Sequence, residues 1–190
     1  MIDDDLIKKQ YNLVGNDPII WKFYSESLSK ASEQLYDQYS NIDINNISDN
    51  SSSSTIGELA SLSKIVKMLR AMAIECLFKA LWLKLGKNLV INGEFKKIPN
   101  TNNHDLCSIE KIISKIIDLK ISDNENDLLK ELSFYNSHGR YPIPKKWTIR
   151  KNHLDYGLGN KYSISHGLKS DNKLYNDFVK RLTEIFEKTK

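Results

Sequence analysis

A glutamate and a lysine one helical turn apart are the first candidates for chemistry in this chain. They lie inside a long apolar stretch, Met68–Leu85, where Glu75 and Lys79 occupy positions i and i+4 of a predicted helix. That spacing places both side chains on one face, in the favourable order with the glutamate first. Because an unpaired buried charge is costly, the pair indicates either a polar ligand-binding site or a structural ion pair.

A histidine and an aspartate follow after a loop, at the predicted start of another helix. His104 and Asp105 directly precede Leu106, the first residue of a new apolar pattern. Polar residues in this position either bind an anion at the helix N-terminus or cap the helix. We therefore treat both as candidate ligand-binding residues, with capping as the alternative.

A third group of polar residues opens a stretch, about 138–168, that has no helical period and many aromatic residues. His138, Arg140 and Tyr141 stand at its start, and His153 lies further along. Arginine and histidine together bind a phosphate and supply the acid and base for RNA cleavage. The alternative is that Arg140 pairs with a helix C-terminus or an acidic residue while Tyr141 packs the turn.

Helices are the elements that must position these residues. Apolar residues recur at three- and four-residue steps. They predict five helices, over about 17–40, 55–85, 103–117, 124–136 and 171–187. The segment Val90–Gly93 fits a short hairpin. We predict an all-α fold, a helical bundle of four to five helices with an irregular aromatic-rich segment at about 138–168.

Length and composition predict a single domain over residues 1–190, with a flexible internal loop at 41–54. A chain of 190 residues forms one full-sized core. The loop is rich in Asn, Asp and Ser and buries too little apolar surface to be ordered. The net charge of +4 comes almost wholly from lysine, which permits contact with nucleic acid without indicating it.

Four other features of the sequence predict a cytoplasmic protein with no membrane span, no metal and no cofactor. Cys76 and Cys107 lie among apolar residues, which suits a reducing compartment. The start, Met1–Asp5, is acidic, unlike a signal peptide. Charged residues interrupt the long apolar helix, and charges inside a membrane are costly. The four histidines lack zinc-ligand spacing, and there is no glycine-rich phosphate loop.

Two of these segments resemble the HEPN-like domain superfamily. Ala73–Leu81 is similar to its apolar helix bearing Glu and Lys, and Asn103-His104-Asp105-Leu106 is similar to its next helix start. Gly139–Pro142 also looks like uncharacterised bacterial members, so the resemblance covers about 55–142. It implies a four- or five-helix bundle, a homodimer, and a setting in bacterial toxin–antitoxin, abortive-infection or other defence systems.

Many members of that superfamily are metal-independent endoribonucleases that use an Arg followed after four to six residues by a His. This chain lacks the motif, because Arg150 is too close to His153 and Arg140 is too far from it. We therefore expect a binding or dimerisation module for RNA, a nucleotide or a partner protein. One alternative is an endoribonuclease with a rearranged site made of Arg140 with His138 or His153. The other is a purely structural subunit of a larger complex.

Overall fold

Helices predicted from the apolar period form the body of the computed structural model, which describes residues 4–40, 53–102, 104–138 and 161–189. This part of the chain contains six helices and one antiparallel hairpin, so the all-α prediction is confirmed. The helices are α1 Asp4–Gly15, α2 Pro18–Ser40, α3 Ser53–Lys84, α4 Leu106–Ser114, α5 Asp123–His138 and α6 Lys161–Lys188. The hairpin strands are β1 Val90–Ile91 and β2 Glu94–Phe95.

The 32-residue helix α3 is the centre of the bundle, and α2, α4, α5 and α6 all pack against it. Its second half is apolar on every side, as expected for a helix surrounded by others. Ile74, Phe78 and Leu81 are completely buried. Phe78 meets Phe178 of α6 edge to face, with ring centroids 6.5 Å apart. The central position of α3 explains why its buried charged residues, Arg70 and Glu75, need partners inside the bundle.

Arg70 is one such residue, and it is 1% exposed at the junction of α2, α3 and α6. Its guanidinium lies over the rings of Tyr36 and Tyr175, at 5.2 Å and 4.8 Å from their centroids, and donates to Asn172. Burial lowers the pKa of Arg70, although the tyrosines oppose that effect. The aromatic rings therefore take over part of the role of water around a buried cation.

Helix α1 is absent from the predicted elements, and it docks on the hairpin through polar contacts. The side-chain oxygen of Asn16, which directly follows α1, accepts hydrogen bonds from the backbone N–H groups of Leu89 and Val90, and its amide donates to the Val90 carbonyl. The hairpin turn at Asn92-Gly93 has φ values of 55° and 81°, which fits the Asn-Gly turn preference. The predicted hairpin is thus confirmed, and it holds α1 in place.

Several predicted boundaries differ from those in the structure. Helix α6 begins at Lys161, about ten residues earlier than predicted, so the last part of the predicted irregular segment is helical. The rest of that segment, 139–160, and most of the predicted loop at 41–54 lie outside the described residues. Among the helices that are described, none is both long enough and apolar enough to cross a membrane.

Gly15 offers a test of the contact between α1 and the hairpin. A Cβ atom at this position would lie 2.2 Å from the Cγ2 of Val90, a buried side chain with little freedom to move. We expect Gly15→Ala to lower the free energy of unfolding by about 1–3 kcal/mol, measured by urea denaturation. In a Val90→Ala background the same substitution should cost much less. An equal cost in both backgrounds would contradict this contact.

Candidate functional site

The carboxylate of Glu75 lies at the centre of a polar cluster, with a side chain that is 7% exposed. Its Oε1 accepts from the Lys79 ammonium at 2.5 Å. Its Oε2 accepts from Asn136 Nδ2 at 2.6 Å and lies 3.2 Å from His104 Nδ1. Burial by itself raises the pKa of this carboxyl, but the neighbouring lysine and hydrogen bonds outweigh it and hold the pKa below 4.5. Glu75 is therefore ionised at neutral pH.

The ionised carboxylate determines which nitrogen of His104 carries hydrogen. A carboxylate without its proton only accepts hydrogen bonds, so Nδ1 of the ring must be the donor. In the neutral ring the lone pair then belongs to Nε2. The His104 side chain is 43% exposed, whereas Glu75 is almost covered. A buried carboxylate thus orients a half-exposed imidazole, an arrangement that suits binding of a phosphate or transfer of a proton.

Aromatic rings cover the other end of the cluster. The Lys79 ammonium lies 4.9 Å from the ring centroid of Trp21 in α2 and 5.2 Å from that of Phe95 in β2. Trp21 is fixed in turn because its indole N–H donates to the Gly15 carbonyl at 2.9 Å. Phe95 is 42% exposed. The cluster therefore presents an imidazole, a partly covered ammonium and an accessible aromatic ring.

Asn136 is the member of the site that the sequence prediction missed. It is 2% exposed, and its amide bonds both the Glu75 carboxylate and the His104 carbonyl, the latter at 3.4 Å. Asn136 follows Leu129 and Leu132 at helical spacing, so it stands on the apolar stripe of α5. A polar residue on a buried stripe needs a hydrogen-bond partner. The position of Asn136 on this stripe could therefore have marked it as a candidate site residue.

Asp105 caps α4 and does not join the cluster. Its side chain accepts hydrogen bonds from the backbone N–H groups of Cys107 and Ser108, at 3.1 Å and 3.3 Å. The N–H of Leu106 donates to Ser133, and that of Ile109 donates to the Asp105 carbonyl. All four amides of the first turn are satisfied, so this helix N-terminus has no free donor for an anion. Capping, the alternative for Asp105, is the role that the contacts support.

The predicted catalytic histidine His138 lies at the end of α5 and makes local contacts. Its Nδ1 is 3.1 Å from the Phe134 carbonyl, and its ring stacks on that of Phe134 with centroids 4.8 Å apart. These contacts do not bring it to Glu75 or His104. Arg140, Tyr141 and His153 lie outside the described residues, so the predicted site at their positions stays a prediction.

The two cysteines are not activated, and the acidic groups of the described chain form no metal cluster. Burial raises the pKa of the Cys76 thiol to about 11, and burial also raises the pKa of Cys107. Neither is therefore activated as a nucleophile. Among the residues that the structure describes, no group of three or more His, Cys, Asp or Glu is arranged to hold a metal ion.

Comparison of the chain with models of protein families, with curated proteins and with solved structures finds no match. The functional interpretation therefore depends on the geometry of the Glu75 cluster and on the resemblance carried by its residues.

The pKa of Glu75 predicts how the cluster responds to acid. Folding lowers this pKa, so the carboxylate stabilises the fold above the unfolded value of about 4.5 and loses that effect as pH falls. We expect Glu75→Gln to lower the unfolding free energy by about 3 kcal/mol at pH 7, and by less below pH 4.5. Urea denaturation of both proteins at pH 7 and at pH 3 measures these differences in unfolding free energy.

The control is Glu184→Gln, which removes an exposed carboxylate of α6. It should change stability by no more than about 0.5 kcal/mol at either pH. If Glu75→Gln costs as much at pH 3 as at pH 7, the ionised carboxylate is not the stabilising form.

Proposed function

We propose that this chain is a HEPN-like helical protein of a bacterial stress or defence system, and that the Glu75 cluster binds RNA or a nucleotide. The observation that supports this most directly is the half-exposed ring of His104 anchored on a buried carboxylate. Lys79 and Asn136 already donate to Glu75. A purely structural ion pair has no need of a further histidine whose side chain is 43% exposed.

The chemistry of the cluster matches that of a nucleotide. The imidazole of His104 donates to phosphate oxygens when it is protonated and accepts from a hydroxyl when it is neutral. The exposed ring of Phe95 offers a face on which a base stacks, an interaction that tolerates every base. The proposed binding mode places a phosphate or ribose at His104 and a base near Phe95.

The setting of this function is also part of the proposal. The resemblance implies a protein of the toxin–antitoxin or abortive-infection type that acts as a homodimer, with or without a partner protein, and the sequence composition suggests that it is cytoplasmic. Within such a system, a helical module without the usual Arg and His motif would act by binding. The module would sequester or present RNA, or respond to a nucleotide.

A second candidate function is metal-independent cleavage of RNA, and the orientation of His104 favours it. A carboxylate that fixes Nδ1–H leaves Nε2 free to accept a proton from a ribose 2′-hydroxyl. The earlier alternative placed this chemistry at Arg140 with His138 or His153. The described contacts of His138 leave His104 as the better oriented base, while Arg140 remains the candidate to bind the phosphate.

Binding is tested by fluorescence anisotropy in EDTA, with a labelled single-stranded RNA and a labelled mononucleotide in separate arms. We expect His104→Ala to weaken binding about tenfold, the loss of one charge-assisted hydrogen bond. His138→Ala is the matched control, because its ring lies on Phe134 outside the cluster, and it should leave affinity unchanged. Weakening by His138→Ala alone would place the ligand in the 138–153 region instead.

The same variants decide between binding and cleavage. If the chain is a ribonuclease at this site, wild type cleaves RNA in EDTA and His104→Ala loses at least a hundredfold in rate. If it is a binding module, RNA stays intact while anisotropy reports a complex. Intact RNA with no binding of either probe would contradict both functions and favour the structural subunit.

A further inference from the structure

Asn136 is buried in the last turn of α5, where it contacts two other parts of the chain. Its Nδ2 lies 2.6 Å from Oε2 of Glu75 in α3 and 3.4 Å from the carbonyl oxygen of His104, in the segment before α4. An amide nitrogen carries two hydrogens, so these two contacts use both of its donors. Asn136 therefore links the Glu75 carboxylate to the same residue whose ring that carboxylate contacts.

The Glu75 carboxylate is shared unequally between its partners. Lys79 is charged, lies one turn away on the same helix, and places its ammonium 2.5 Å from Oε1. The distance from Oε2 to His104 Nδ1 is 3.2 Å, which is longer than the contacts with Lys79 and Asn136. The last torsion angle of a glutamate has a broad distribution. Without a second donor on Oε2, the carboxylate is free to rotate toward the ammonium, and its contact with the ring is the first to lengthen.

Asn136 opposes that rotation. Its hydrogen bond to Oε2 ends on an ionised acceptor, a class about twice as strong as hydrogen bonds between neutral groups. The residue itself has little freedom, because it is only 2% exposed and stands on a helix that packs against α3. Its second contact holds the backbone of His104, so Asn136 restrains both the carboxylate and the residue that carries the ring.

We propose that Asn136 is a positioning residue, which aims the Glu75 carboxylate at His104 and thereby keeps the hydrogen of the neutral ring on Nδ1. The tautomer follows from the contacts alone, while the use of this ring to bind RNA or a nucleotide rests on the proposed function. In the Asn136→Leu variant the donors are lost although a branched side chain remains. In Asn136→Ala the side chain is lost as well.

The first test needs no ligand. Long-range ¹H–¹⁵N NMR correlation of the full chain shows which ring nitrogen carries hydrogen, and the signals missing from His104→Ala identify this ring. Wild type should carry the hydrogen of the neutral ring on Nδ1. In Asn136→Leu and in Asn136→Ala the Nδ1–H fraction should fall at least about twofold as the Nε2–H form appears, because the tautomer is set by the partner of Nδ1.

Leu128→Ala is the matched control for this experiment. It opens a cavity at a buried position of the same helix, two turns from Asn136, and should leave the tautomer unchanged. Far-UV circular dichroism shows which variants keep their helices. An unchanged tautomer in the folded Asn136 variants would overturn the proposal. A wild-type ring with its hydrogen on Nε2 would overturn it without any variant.

The second test asks whether Asn136 acts on binding through His104, with the labelled RNA and mononucleotide described above. Asn136→Leu should weaken binding about fivefold in the wild-type background, as expected for one misplaced hydrogen bond. In the His104→Ala background it should have no further effect, because the ring that it positions is gone. Equal weakening in both backgrounds would contradict a role through His104. If neither probe binds wild type, the proposed function fails, whereas the tautomer experiment still decides the role of Asn136.

Discussion

The burial of the Glu75 charge is the constraint on which much of this structure depends. A carboxylate with a 7% exposed side chain needs donors, and they come from α3 itself, from α5 and from the segment before α4. The lysine among them needs cover as well, and aromatic rings of α2 and β2 supply it. One negative charge in the middle of α3 thus ties together five parts of the chain. Moving α5 or the segment before α4 would remove a donor from this buried carboxylate, which is costly.

Helix α3 has a second buried charge, Arg70, and its surroundings differ from those of Glu75. Arg70 lies between two tyrosine rings and donates to Asn172, all within the interface of α2, α3 and α6. Arg70 itself is only 1% exposed, so its contacts serve the packing and orientation of these helices. The Glu75 network instead ends at a histidine ring in contact with water. Of these two polar networks, only the second offers groups to a ligand.

Sequence periodicity was enough to predict the central helices, because α3 and its neighbours show a regular apolar pattern. Glu75, Lys79 and His104 were also predictable as candidates, since charged groups near an apolar helix need partners. Asn136 was not, because its partner is 61 residues away and only the packing of α5 on α3 brings them together. Helix α1 was missed for a different reason. Its apolar residues do not enter the core, so their pattern carries no information about the bundle.

The polar docking of α1 has a consequence for how the protein opens. This helix buries none of its residues and is attached by a few hydrogen bonds and the close contact of Gly15 with Val90. Detaching it would uncover little apolar surface, so its local unfolding requires far less free energy than unfolding of the bundle. We therefore expect the amide protons of α1 to exchange faster than those of the buried core of α3.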